Sequence, residues 1–594
     1  MTMGSTYPAD SILLGKLNEH LARLYPQNDN VSLARAISDC FPRLATTGQP
    51  PAADLWTQAD SILITYGDSI QSPGQPGLQT LYQFLDKHVE NDISTVHVLP
   101  FCPYSSDDGF AVIDYLAVAP RLGNWRDLSQ IGARWKLMAD LVLNHVSSQS
   151  AWFDNYVHGL KPGSGYFCEA AVDDDLSRVV RPRTSPLLRP TATAGGLKYL
   201  WCTFSHDQID LNFANPAVLL EFIKIIAFYL DKGVRLFRLD AIGYLWKQPG
   251  TTCIHLPQTH EMVRLLRTVV DHVAPGTVLI TETNVPNHEN LSYFGNCNEA
   301  HVIYNFSLAP LVVHALLTGS CQYLQRWMMS MPPAPLNCTY LNFTASHDGI
   351  GMRPAEGLLS DEEQIQMLNA MHRFGGRFSS RRTADGSEKI YEVNISLFDA
   401  CRGTVAGADE YQVSRFLCSQ TLMMGVEGIP AFYIHSLLAT PNDELAVQRT
   451  GMPRSINRHS WDAERLWRLL SDPDSIQRQV LSELRRRLQI RCQQPAFHPS
   501  ATQFTLHLDD RLFGFWRQSS DRRQSIFAIH NVSDQPQTLP LSQLNLISTD
   551  AWHDLLAGTT LPAEDGSLVV APYQCLWISN RQQGTMAKGQ TTVD

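Results

Sequence analysis

No apolar run in this 594-residue chain reaches the roughly 18–20 residues that a membrane-spanning helix requires, so a transmembrane protein is not expected. The start, MTMGSTYPADSILLGKLNEH, has no basic stretch followed by an apolar one and thus no secretory leader, which points to the cytoplasm. None of the twelve cysteines, among them Cys40, Cys102, Cys168, Cys202, Cys253 and Cys297, stands in a CxxC pair. Scattered, buried thiols in a reducing compartment are therefore the expectation. Basic residues are in the minority, 47 Lys and Arg against 58 Asp and Glu, for a net charge of −11. A nucleic-acid backbone would find no cationic stripe, so nucleic acid is not an expected partner. There is no repeat of fixed period, and nothing specifies an oligomeric state.

What the chain does contain is a series of short apolar runs separated by helical stretches. Eight of them recur from residue 61 onward: SILITYG, TVHVLPF, KLMADLVLNH, VRLFRLDA, TVLITETN, AHVIYNF, TYLNFTASHD and GIPAFYI. Parallel strands covered on both faces read as continuous Val/Ile/Leu-rich runs rather than as alternating ones. Between them lie helical patterns with stop signals, such as PAVLLEFIKIIAFYLDKG and THEMVRLLRTVVDHVAPG. Eight such units predict an α/β fold, a (β/α)8 TIM barrel.

The catalytic barrel is expected over residues 59–490, preceded by a helical arm at 1–58. Two stretches, about 146–207 and 349–415, are too long and too irregular for crossovers and read as functional loop insertions. From 495 to 580 the runs shorten and alternate (TQFTLHL, LFGFWRQ, QSIFAIHNVS), which predicts a C-terminal antiparallel β domain, with a flexible tail at 581–594.

Three of the runs end in a carboxylate: Asp240, Glu282 and Asp348. In a barrel of this kind the C-terminal strand ends converge on one pocket, so three acids there can meet over one substrate. Two carboxyl groups, one attacking or activating water and one protonating a leaving oxygen, are what glycosidic bond cleavage requires. Any one of these acids alone could equally be a helix cap; three together, flanked by Arg238 and His347, favour chemistry.

The motifs DLVLNH (140–145), RLFRLDA (235–241), TETN (281–284) and ASHD (345–348) resemble the four short regions of the α-amylase superfamily, glycoside hydrolase family 13. The resemblance implies Asp240 as nucleophile, Glu282 as general acid/base and Asp348 as transition-state stabiliser. It also implies that Arg238 orients Asp240 and holds it ionised, and that His145 and His347 bond glucose hydroxyls. Within the superfamily, ITYGDS, DDGFAVIDY, DAIGYLWKQPGTTC and RSINRH are similar to the sucrose phosphorylase branch. That similarity implies Asp107 and Arg458 gripping the far hydroxyls of one glucose, Gln208 joining the substrate contacts, and Phe110 and Phe204 lining an apolar face. It further implies inorganic phosphate as a second substrate, met by Arg183, Tyr244 and Tyr391, with Arg181 and Lys247 near enough to share the task.

Two residues depart from the sucrose enzymes on the acceptor side: Asn284, where a His is usual, and Glu392, where a Gln is usual. With the N-terminal arm and VVRPRTSPLLRP, these make the chain look more like the glucosylglycerate phosphorylases, which use 2-O-α-D-glucosyl-D-glycerate. A glycerate carboxylate would need a cation or several N–H donors, and Arg183, Arg189 or Lys247 could supply the cation. Sucrose, sucrose 6-phosphate and glucosylglycerol remain alternative donors, and a phosphate-independent α-glucosidase or transglucosidase an alternative reaction. The resemblance implies no cofactor. Calcium near Asn144, as in many amylases, is not expected for want of further carboxylates.

Overall fold

The structure is a computed structural model that describes residues 8–41, 54–383, 387–544, 546–547, 551–561 and 566–581. All eight apolar runs become strands of one closed parallel barrel: β1 (Ile62–Thr65), β2 (Thr95–Val98), β3 (Lys136–Val142), β4 (Val234–Asp240), β5 (Val278–Thr281), β6 (Val302–Tyr304), β7 (Thr339–Asn342) and β8 (Ile429–Tyr433). Each strand pairs with its sequence neighbours, and β8 closes on β1 through Ile62↔Ala431 and Leu63↔Phe432. Six of β3's seven residues are buried, as are all four of β1, β2, β5 and β7, which is why the runs show no polar alternation.

The crossover helices start and stop where the sequence says they should. Pro216–Asp231 is capped by Asn215, whose side chain accepts from the Ala217 N–H at 3.1 Å, with Pro216 at the first helical position. Its inner face buries Val218, Leu219, Phe222, Ile223 and Ile226 against the barrel, each contributing on the order of 1.5–3 kcal/mol of transfer free energy.

The N-terminal helices Pro8–Leu24 and Asn30–Asp39 lie on the outside of this ring. The first packs Leu17 and Leu21 inward, and it is pinned to helix Pro257–Val273 by Arg23 (2.9 Å) and His20 (2.7 Å), both on Glu261. Residues 1–7 and 42–53 of the expected arm and residues 582–594 of the expected tail lie outside the described residues.

Both long excursions leave from the C-terminal ends of barrel strands. The first begins with His145–Ser147, which pairs antiparallel with Gln208–Asp210, and carries a hairpin of Leu188–Thr193 with Gly196–Trp201. The second builds a three-stranded sheet from Ile350–Gly351, Arg377–Arg382 and Glu388–Asn394. Beyond the barrel, a six-stranded antiparallel sheet follows, and its period-2 alternation serves two cores. Phe513, Phe515, Ile526, Ala528 and Trp577 face the barrel, while Leu512, Phe527, Ile529, Leu576 and Ile578 face a second layer formed by Leu539 and Val570.

Candidate active site

Asp240 is the last residue of β4, Glu282 follows β5 directly and Asp348 lies six residues past β7. The ends of β4, β5 and β7 bring all three to one pocket. Their common centre is the fully buried Arg238, one turn of pleat before Asp240. Its guanidinium touches Asp240 Oδ1 at 2.6 Å, Glu282 Oε2 at 3.8 Å and Asp348 Oδ2 at 4.0 Å, and it also bonds Asp140 from β3. Asp140 is in turn held by His97 Nε2 at 2.7 Å. The DLVLNH acid therefore does not reach the pocket; it anchors the arginine that does.

The backbone bends to serve the acids. Ala241, just after Asp240, adopts a left-handed φ of 49°, which aims its N–H at Glu282 Oε2, 2.9 Å away. Such a conformation is costly for a residue with a Cβ and is typical of functional sites. Asp107 and Asp108, at φ 52° and 48°, are bent in the same way on the opposite rim.

The expectation that Arg238 holds Asp240 ionised meets three further buried carboxylates. Burial pushes Asp240 upward, Arg238 opposes it, and the carboxylates of Glu282, Asp140 and Asp348 add to the rise. Burial likewise raises Glu282, with Arg238 pulling down and Asp348 pushing up. The two acids thus compete for one proton. Asp240 has the 2.6 Å contact with Arg238 and Glu282 only a 3.8 Å one, so Arg238 favours the anion on Asp240 more strongly than on Glu282. For Asp348 the balance is opposite: burial would raise it, but the adjacent His347 ring, Arg454, Arg238 and Arg458 outweigh that and hold it well below the usual carboxylate range. Burial also depresses His145, to about 4, so its ring is neutral near pH 7.

Around the acids the remaining expected residues assemble as two walls. On one side Phe110 stacks on His347, with ring centroids 5.0 Å apart and planes 6° from parallel. Gln208 Nε2 reaches both His145 Nε2 (3.1 Å) and Asp107 Oδ2 (3.3 Å). Phe204 joins the two sides, its ring 5.1 Å from that of His145 and 5.6 Å from that of Tyr244; beyond it stand Tyr244, Asn284 and Tyr391, with the Arg183 guanidinium 5.5 Å over the Phe204 ring. Arg183 lines the pocket and makes no ion pair with any carboxylate among the described residues. Asn284 fits because Gly351 faces it: a Cβ there would come within 2.6 Å of Asn284 Oδ1. That oxygen is buried without a partner, a group waiting for a donor.

Four expected cations and one acid are not brought to the pocket. Arg458 Nε donates to the His347 carbonyl at 2.8 Å and Nη1 to Asp108 at 2.7 Å, so it braces the rim from behind. Glu392 faces the adjoining vestibule and is clamped by Arg454. Arg189 donates to the His206 carbonyl at 2.7 Å, and Arg181 to the Cys202 and Thr203 carbonyls at 2.9 and 3.2 Å. Lys247 is buried, its ammonium 2.6 Å from Asn144 Oδ1 and 3.0 Å from Asp210 Oδ2. A cation thus already stands beside Asn144, built into the chain.

Sequence reading missed Arg454, which enters the pocket in place of Arg458 and meets Asp348 Oδ1 at 2.8 Å. It also missed His255, which lines the pocket with its ring held between Tyr293 Oη (2.7 Å) and Glu289 (3.1 Å). Arg454 and Arg458 both lie in PRSINRH. Only the conformation separates them: Arg454 lies within the 3-10 turn Pro453–Asn457, and Arg458 follows it with a non-helical backbone, φ −117° and ψ 45°.

This arrangement has counterparts in known proteins. The α-amylase catalytic-domain profile matches residues 83–349. The chain is 41% identical to a glucosylglycerate phosphorylase of Allomeiothermus silvanus, over 94% of this chain and 97% of that one. It belongs to the α-amylase family, glycoside hydrolase family 13. A second glucosylglycerate phosphorylase, from Spirochaeta thermophila, is also 41% identical, over 88% of this chain and 90% of its own. Among solved structures, sucrose 6F-phosphate phosphorylase from Thermoanaerobacter thermosaccharolyticum superposes with a TM-score of 0.69 at 23% identity, over 80% of this chain and 94% of that one, which supports the fold of this family member. Among the described residues no helix is long and apolar enough to cross a membrane.

Proposed function

We propose that this family 13 enzyme is a retaining glucosylglycerate phosphorylase. It takes 2-O-α-D-glucosyl-D-glycerate and inorganic phosphate to α-D-glucose 1-phosphate and D-glycerate. The observation that carries the reading is the 41% identity to a glucosylglycerate phosphorylase across nearly the whole of both chains. In the first step Asp240 attacks the anomeric carbon while Glu282, holding the proton, delivers it to the glycerate oxygen. The product is a β-glucosyl ester on Asp240. In the second, phosphate enters, gives a proton back to Glu282 and displaces the ester, so configuration is retained. Asp348, kept anionic by its cations, faces the oxocarbenium-like charge that develops in both steps.

The two substrates that alternate at the acceptor side, glycerate and phosphate, are both anions. Arg183 is the cation that supports this reading, because it lines the pocket with no carboxylate of its own to satisfy. Tyr244, Tyr391 and Asn284 add hydroxyl and amide groups beside it. Asp107, Gln208, His145, His347 and Phe110 form the opposite half, where the glucose would sit. The cytoplasm suits a chain whose twelve cysteines are all free.

The test is to incubate the purified enzyme with glucosylglycerate, sucrose, sucrose 6-phosphate and glucosylglycerol, with and without phosphate, and to follow anomers by NMR. The expected result is α-glucose 1-phosphate from glucosylglycerate, dependent on phosphate. Free glucose released at the same rate without phosphate would overturn it.

A further inference from the structure

We infer that Glu392 is a positioning residue for the glucose half of the site, acting through Arg454 on Asp348, and not a contact for the departing acceptor. The inference rests on the proposed glucosyl transfer at Asp240. Both oxygens of Glu392 are committed: Oε1 accepts from Arg454 Nε at 2.8 Å and Oε2 from Nη2 at 2.9 Å. This is the forked geometry that fixes a guanidinium in its plane as well as in place. The remaining nitrogen, Nη1, then has one direction left, and it points to Asp348 Oδ1 at 2.8 Å, with Asp107 Oδ1 at 4.0 Å. Both carboxylates it addresses stand at the glucose side of the pocket.

The placement of Glu392 speaks against the alternative role. Its residue exposure is 1%, and although it borders the vestibule, both of its oxygens already accept from Arg454. It lies in strand Glu388–Asn394, opposite Gly351 and Ser379. Successive residues of a strand point to opposite faces, so while Tyr391 lines the pocket, its neighbour Glu392 turns to Arg454. The three-stranded insertion beyond β7 is thereby tied to the loop beyond β8 through one buried ion pair. A glutamine at 392 could keep only one of the two bonds, because its amide N–H groups would oppose those of the guanidinium.

Glucosyl fluoride separates the two roles, since its leaving group needs neither protonation by Glu282 nor a glycerate subsite. The experiment measures phosphate-dependent turnover of α-D-glucosyl fluoride, and the KM for glycerate in the synthetic direction, for wild type, E392Q, E392D, R454K, E392Q/R454K and E392D/R454K. E392Q is expected to lose at least about 10-fold in kcat/KM for glucosyl fluoride and for α-glucose 1-phosphate alike, with the glycerate KM changed less than about 3-fold. E392D, which keeps two acceptor oxygens, should recover part of the loss. The double variant should be no worse than R454K alone, because the two residues act as one unit. Unchanged glucosyl fluoride turnover in E392Q, with a glycerate KM raised 10-fold or more, would overturn the inference and return Glu392 to the acceptor side. If E392Q does not fold, additivity of E392D with R454K would overturn it instead. Failure of the wild type to use glucosyl fluoride would count against the proposed function, not against this coupling.

Discussion

The mouth of the barrel and the C-terminal sheet are both densely buried, and they are buried on opposite terms. At the mouth, four carboxylates surround the buried Arg238, and Asp240 and Glu282 are pushed upward by burial and then by neighbouring carboxylates. In the sheet, Trp577 lies against Phe497 with centroids 4.8 Å apart, Phe513 and Phe515 lie in the same core, and the buried Arg517 of their strand donates only to backbone carbonyls. The first arrangement is poor for stability, since burying charges costs more than an apolar core of the same volume. The second is good for stability and has no chemistry to offer. A fold can carry the first because it has the second, and substitutions in the two regions should therefore fail in opposite ways.

Asp240→Asn is the sharpest test of that contrast. The amide is nearly isosteric but cannot form the glucosyl ester, so turnover of every donor should fall by about 10⁴-fold or more. Relieving one of four crowded carboxylates should leave the melting temperature unchanged or raised. A variant that unfolds while the few remaining folded molecules stay active would break the comparison.

Glu282→Gln comes next. Glucosylglycerate, with its poor leaving group, should lose about 10²–10⁴-fold in rate, and glucosyl fluoride far less. Because burial raises the Glu282 carboxyl, the protonated form that donates to glycerate is present at low pH and is lost as pH rises through its folded pKa. Wild-type kcat/KM for glucosylglycerate should therefore decline on the alkaline side, and the glutamine variant should lack that limb in a pH profile. An unchanged limb would remove Glu282 from the role of acid.

Arg183→Ala should have a smaller effect and a directional one. One charge-assisted hydrogen bond, worth about 1.5–3 kcal/mol, corresponds to a rise of about 10- to 100-fold in the KM for phosphate and for glycerate. Steady-state kinetics in both directions would check it. Equal loss on glucose-side ligands would mean that Arg183 shapes the pocket rather than greeting anions.

Trp577→Ala should change kcat least of all. Removing a fully buried ring costs about 3–5 kcal/mol, read as a lower unfolding midpoint, while turnover per folded molecule stays within about twofold. A large fall in kcat would show that the sheet steers the mouth after all.

The barrel was legible in the sequence because parallel strands covered on both faces must be apolar throughout, and eight such runs leave few other topologies. The acids were legible too, each standing at a strand end where a short motif surrounds it. The alternation in LFGFWRQ announced the antiparallel sheet, although not that its two faces serve two different cores. The cations were far less legible. Lys247, Arg189 and Arg181 sit near the right motifs and spend their donors on Asn144, on His206 and on backbone carbonyls.

What the sequence determined by itself is the barrel and the identity of its three acids, since local periodicity fixes the strands and strand ends fix what stands on them. Which arginine enters the pocket was decided only in three dimensions, by a 3-10 turn that sends Arg454 inward and Arg458 behind His347. The same holds for Glu392, whose partner is 62 residues away in the chain. A charge is attracted by whatever the fold brings within a few ångströms of it, and that distance is not a property of neighbouring letters.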